Sequence, residues 1–137
     1  MKILQLYTFA AILAMAGCDN PVTVKPTKAE IVGTWKCSEL PASFVAEIKH
    51  APSSYSPSIE LRADGTFTTH DFPLRDPARL WTASGIWELT DYPTPSPKGN
   101  WMLNLGGEWI SIRRNGSDTY LRYWIDPVAN WKAEYTK

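Results

Sequence analysis

The fold is decided by the stretch Trp101-Met102-Leu103-Asn104-Leu105-Gly106-Gly107-Glu108-Trp109-Ile110-Ser111-Ile112-Arg113-Arg114-Asn115-Gly116-Ser117-Asp118-Thr119-Tyr120-Leu121-Arg122-Tyr123-Trp124-Ile125. Apolar and polar residues alternate through it, which is the period of a half-buried strand. The dipeptides Gly106-Gly107 and Asn115-Gly116 supply the positive φ angles that tight hairpin turns require. Taken as two-residue loops, they set Leu105 opposite Glu108, Leu103 opposite Ile110 and Trp101 opposite Ile112, then Ile112 opposite Thr119 and Ile110 opposite Leu121. Both turns thus agree on one apolar face of Trp101, Leu103, Leu105, Ile110, Ile112, Leu121, Tyr123 and Ile125, the expected core. The opposite face carries Met102, Asn104, Trp109, Ser111, Arg113, Asp118, Tyr120, Arg122 and Trp124. There Trp109 and Arg122 are expected directly across from one another, with Tyr120 and Trp124 beside them.

Working outward, Asp64-Gly65 marks a third hairpin. A two-residue loop would set Leu61 against Thr68, whereas a three-residue loop ending in a left-handed Gly65 sets Leu61 against Phe67 and Ile59 against Thr69. The second keeps apolar partners together and is the expected turn. Further strands are expected at 31–37, 82–89 and 131–136. Residues 40–50, with Pro41 for a first turn and Phe44, Val45 and Ile48 on one stripe, predict a short amphipathic helix over a barrel mouth. The Pro-rich stretch 92–100 predicts a long, stiff loop. The expected fold is all-β: an antiparallel meander of about eight strands with one short helix after the first. Such a sheet closes into a barrel because closure removes bare edges.

Composition narrows the function. The 137 residues are 44% hydrophobic, and 14 basic groups balance 14 acidic ones, leaving no cationic excess to hold a phosphate backbone; nucleic acid is not an expected partner. Two Cys and two His are too few for a disulfide framework or a metal cluster, so neither metal nor cofactor is expected. No nucleophile elbow, phosphate loop or paired metal histidines is present. His70-Asp71 is the one adjacent acid-base pair, and neighbours in a regular strand point to opposite faces. A non-catalytic protein is therefore expected.

The chain opens with Lys2, an uncharged, mostly apolar run from Ile3 to Ala16, and the small pair Ala16-Gly17 before Cys18. As a helix this run would reach roughly 20 Å, short of the ~30 Å of bilayer hydrocarbon, which favours a cleaved leader over a span. Its end, Met15-Ala16-Gly17-Cys18, resembles the lipobox of bacterial lipoproteins. That resemblance implies a signal peptide at 1–17, lipidation of Cys18 and a lipid-anchored tether at 18–30, followed by a β-barrel domain at 31–137. Diacylglycerol plus an amide-linked chain such as palmitate exceeds the one-chain threshold for stable anchoring. The domain would stand in the periplasm, in the cell envelope. Asp19 resembles the signal that retains lipoproteins on the inner membrane of enteric bacteria. Cys37, left without a partner, is expected to be a buried thiol.

In the folded part, Gly33-Thr34-Trp35-Lys36 resembles the opening of the calycins, that is, lipocalins and fatty-acid-binding proteins, in which a Gly-x-Trp begins the first strand and its Trp plugs one barrel end. Gly-x-Trp recurs at Gly85-Ile86-Trp87 and Gly107-Glu108-Trp109 at unequal spacing, so it is no structural repeat. The early helix is similar to the lid of fatty-acid-binding proteins. Their carboxylate-holding Arg-x-Tyr is absent from Leu121-Arg122-Tyr123-Trp124 and from the segment after Trp131, so a carboxylate ligand is not implied. Two binding functions remain open. In one, the barrel holds a small apolar ligand, with Trp35, Trp87, Trp101 and Tyr123 as ligand contacts or plugs. In the other, an accessory or inhibitor lipoprotein binds an envelope protein through Trp109, Arg122, Tyr120 and Trp124, or through the segments 71–81 and 92–100. Whether Trp35, Trp87 and Trp101 fill the interior decides between them.

Overall fold

A computed structural model describes residues 19–91 and 100–137. Residues 1–18, where a leader ending at Cys18 is expected, and residues 92–99 of the Pro-rich stretch lie outside the described residues. In chain order the elements are β1 (Asp19–Pro21), α1 (Lys28–Ile31), β2 (Gly33–Cys37), α2 (Ala42–Glu47), β3 (Ser58–Leu61), β4 (Thr66–Leu74), β5 (Arg79–Asp91), β6 (Trp101–Leu105), β7 (Glu108–Asn115), β8 (Asp118–Asp126) and β9 (Trp131–Thr136). Each strand from β2 to β9 pairs antiparallel with the next, and β9 returns to β2 through Lys36 opposite Thr136 and Cys37 opposite Tyr135. Among the described residues the fold is all-β, an eight-stranded closed barrel with two short helices, consistent with a calycin-like barrel.

The turns explain the register. Leu61 faces Phe67 and Ile59 faces Thr69, because Ala63, Asp64 and Gly65 form a three-residue loop in which Gly65 takes φ 89° and its N–H donates to Arg62 O at 3.1 Å. Asp64 accepts from the Thr66 side chain at 2.6 Å and from its amide at 2.9 Å, and these bonds hold its carboxyl below the usual range. At Gly106-Gly107 the expected pairing holds, with Leu103 opposite Ile110 and Leu105 opposite Glu108. At the next turn it shifts. The loop is Gly116-Ser117, so Asn115 faces Asp118 and Ile112 faces Leu121 rather than Thr119. Moving the loop by one residue displaces the pairing by two positions, which preserves every face assignment because side chains alternate with period two. Leu103, Leu105, Ile110, Ile112, Leu121, Tyr123 and Ile125 are accordingly all buried, and Trp101 is half-buried.

Several expected bounds move. β4 runs past His70 to Leu74 through a bulge between Thr69 and Phe72, where Asp71 takes φ 51°. β5 begins at Arg79, so most of the segment 71–81 is strand rather than loop. The helix after the first barrel strand is shorter than 40–50: Pro41 is its N-cap and Ile48 is already extended. The first barrel strand starts at Gly33 rather than residue 31, because Ile31 belongs to α1.

The largest departure is at the N-terminal side. The stretch expected to be a free tether lies on the barrel instead. β1 pairs with β7, Asp19 opposite Asn115 and Pro21 opposite Arg113, on the edge of β7 that the shorter β6 leaves uncovered. Val22 then stitches the two strands: its N–H donates to Ile112 O at 3.3 Å and its carbonyl accepts from Trp101 N–H at 3.2 Å. Val22 is 3% exposed, a burial that stabilises by roughly 1.5–3 kcal/mol. Val22 and Val24 alternate too briefly to give a periodic signal, and only Val22 is buried, Val24 being exposed.

Both barrel ends are covered. At the end bearing the Gly65 and Gly116-Ser117 turns, the lower end, α1 lies beneath Trp35, with Ile31 fully buried. At the upper end α2 inserts Phe44, also fully buried, edge-on to Trp131 with centroids 6.0 Å apart.

Candidate functional site

Two regions could bind something: the barrel interior and its outer wall at β8 and β9. Of the interior candidates, Trp35 is 1% exposed. Its Nε1 donates to Ile31 O at 2.8 Å, and Lys137 stands 5.1 Å over its ring while donating to Glu30 O at 2.7 Å. Trp87 is buried with Nε1 donating to Arg62 O at 3.0 Å. Both indole N–H groups are therefore satisfied by the chain's own carbonyls. Trp101 is half-buried and packs against the core, with Lys25 5.4 Å from its ring. Tyr123 is interior, and its hydroxyl donates to Glu108 Oε2 at 2.8 Å. Burial, and then the Glu108 carboxylate, pushes that phenol well above its ordinary range.

The residue that fills the centre was not among the candidates. The Phe72 ring is fully buried, 4.6 Å from Tyr123, 6.1 Å from Tyr135 and 6.1 Å from Trp81 between centroids. The bulge at His70-Asp71 conceals it, because the extra residue breaks the alternation by which Phe72 and Leu74 would be read as core. Gly85 also serves this packing. A Cβ there would lie 2.9 Å from Phe67 Cε1, so the second Gly-x-Trp exists for a ring's close approach rather than as a copy of the first. One interior group stays unmatched: the Tyr135 hydroxyl is buried without a hydrogen-bond partner, and burial raises its pKa well above the ordinary value. Cys37, paired opposite Tyr135, is a buried thiol whose pKa is raised chiefly by burial.

On the outer wall Tyr120, Arg122 and Trp124 come together on β8. The Arg122 guanidinium lies 5.7 Å from the Tyr120 ring and 5.8 Å from the Trp124 ring. The adjacent strand contributes Lys132, opposite Trp124 and 6.0 Å from its ring, and Glu134, opposite Arg122 at 3.6 Å. Lys132 and Glu134 are themselves 3.1 Å apart. Trp124, 40% exposed, is thus flanked by two cations. The expected direct pairing of Trp109 with Arg122 is corrected: Arg122 faces Ser111, and Trp109 faces Asn104 of β6, because the β7–β8 loop is one residue later than expected. Lys132 and Glu134 were legible as alternating polar positions on the meander's last strand, but the sequence did not fix the β8–β9 register, which carries an irregularity between Trp124 and Asp126.

His70 and Asp71 do not point apart. The bulge brings His70 Nε2 within 3.5 Å of Asp71 Oδ2, yet that oxygen also accepts the Ser56 N–H at 2.9 Å and so anchors the loop before β3. A recess of about 510 Å³ at the lower end, between Lys25-Lys28 and Trp87-Leu89, opens to solvent. Among the described residues no group of three His, Cys, Asp or Glu side chains could hold a metal ion. No known protein-family model, curated protein or solved structure matches this chain.

Proposed function

We propose that this chain is a non-catalytic envelope lipoprotein, acylated at Cys18, whose solid barrel binds a protein partner through the outer wall of Tyr120, Arg122, Trp124 and Lys132. One observation carries the reading: side chains of the chain itself occupy the barrel centre around Phe72, while an accessible indole between two cations remains outside. A barrel of eight strands encloses one small ligand or none. Aromatic residues with arginine are the groups that interface centres favour. The contact of the half-exposed Lys132 with the Trp124 ring is of the exposed kind that contributes only about 0.5–1 kcal/mol, so exchanging it for a partner's surface costs little.

The test places a photo-crosslinking side chain at Trp124 or, as a control on another wall, at the exposed Ile86 in intact envelopes. A discrete protein adduct formed from position 124 and absent from position 86 supports the reading. Equal yields from the two positions, or none, reject it. A second reading, a small and mainly apolar ligand inside the barrel with one polar group to pair with the Tyr135 hydroxyl, is favoured by that unmatched group alone. Tyr135→Phe separates the two: without a ligand it removes an unsatisfied buried group and stabilises by about 1–3 kcal/mol, whereas loss of a ligand's hydrogen bond lowers the melting temperature.

A further inference from the structure

The N-terminal segment has a geometric consequence for an anchored protein. Consecutive Cα atoms are about 3.8 Å apart, so an acyl group on Cys18 is attached one peptide unit from Asp19, which is opposite Asn115 at the lower end of β7. A free spacer over 18–30 would let the barrel stand roughly 40 Å away and turn freely. The observed pairing leaves no such spacer. Beyond β1 the segment is held at four further points: the two Val22 backbone hydrogen bonds, Lys25 over the Trp101 ring, Glu30 on Arg114 at 3.3 Å and Lys137 on Glu30 O.

We propose that the barrel is seated directly on the lipid surface, with the lower end and its Gly116-Ser117 turn against the headgroups and the upper end, α2 and the β8–β9 turn, pointing away. This rests on the acylation of Cys18 proposed above. Asn115, Gly116, Ser117 and Asp118 are all exposed, so polar groups meet polar headgroups without a desolvated apolar face. β8 spans nine residues from this end to the other, about 26 Å at strand rise, and Val128 in the following turn is 96% exposed. The Trp124 wall then lies between the two ends, turned sideways along the membrane and open to a neighbouring envelope protein.

The experiment uses the full acylated protein in vesicles of phosphatidylethanolamine and phosphatidylglycerol containing a headgroup-nitroxide lipid. A fluorophore is attached at Ser117→Cys or at Val128→Cys; Cys37 is buried and Cys18 is acylated, so labelling is selective. Quenching several-fold stronger at position 117 than at 128 is expected, and a flexible Gly/Ser segment inserted between Cys18 and Asp19 should abolish the difference. Equal quenching in the uninserted protein, with acylation verified by mass, overturns the seating while leaving the anchor intact. An N-terminus without acyl mass overturns the anchor itself. Backbone amide exchange at Val22 and Trp101, the two amides that donate in these contacts, as slow as in β3 supports the segment's attachment in either label variant; exchange at open-chain rates overturns it.

Discussion

The inner and outer faces of the same three strands, β7 to β9, obey opposite rules. Inside, Ile110, Ile112, Leu121, Tyr123, Ala133 and Tyr135 are buried against rings from β4 and β5, and a side chain there is committed by shape. Outside, Arg122, Trp124, Lys132 and Glu134 share one another's charges and rings at 3.1–6.0 Å, and water can replace those of the half-exposed Trp124, Lys132 and Glu134. Stability is therefore concentrated on one side of a single sheet and adaptability on the other. The difference teaches where recognition can evolve at little cost to folding.

The largest effect should come from the inside. Phe72→Ala removes the ring at the centre of the aromatic group and should destabilise by about 3–5 kcal/mol, measured by urea unfolding; a loss below ~1 kcal/mol would mean that the interior is not close-packed and would erase the contrast. A smaller inner effect concerns pH. Burial raises the folded-state pKa of Cys37 above its ordinary 9.0 and that of Tyr135 above 10.0. The unfolded chain then gives up these protons first, so stability is at its full value below pH 9 and falls as the pH rises further. Unfolding free energy measured between pH 7 and 11 should decline above 9, and Cys37→Ala should make the first part of that decline shallower. The smallest effect is expected outside. Lys132→Ala should change stability by no more than about 0.5–1 kcal/mol, with thermal unfolding as the measure, because its partners are solvated.

How much of this was readable follows from the range of each interaction. Alternation along residues 101–125 assigned both faces of three strands, since strand period is a property of the backbone and needs no knowledge of neighbours. The same text misplaced the last turn by one residue, because Asn115-Gly116 and Gly116-Ser117 offer similar positive-φ chemistry and the period cannot tell a two-position slip from none. The pairing of Trp109 with Arg122 failed for that reason. The cluster on β8 was legible because its members alternate within one strand, whereas placing Lys132 and Glu134 against it depended on the β8–β9 register, which a bulge shifts. Phe72 was hidden by the bulge, and Trp101, placed on the core face by period, packs against the core but is only half-buried.

By itself the sequence determined what is local: the strands of the meander, the three-residue turn at Gly65, the helix around Phe44 and the sidedness of the sheet. Each follows from φ preferences and the two-residue period. Only the tertiary structure decided that β1 and Val22 occupy the edge of β7 left bare by β6, that Trp35 is capped by α1 and Lys137, and that Phe72 fills the centre. Those contacts join residues far apart in the chain, and their free energy comes from surfaces that meet only after the barrel has closed.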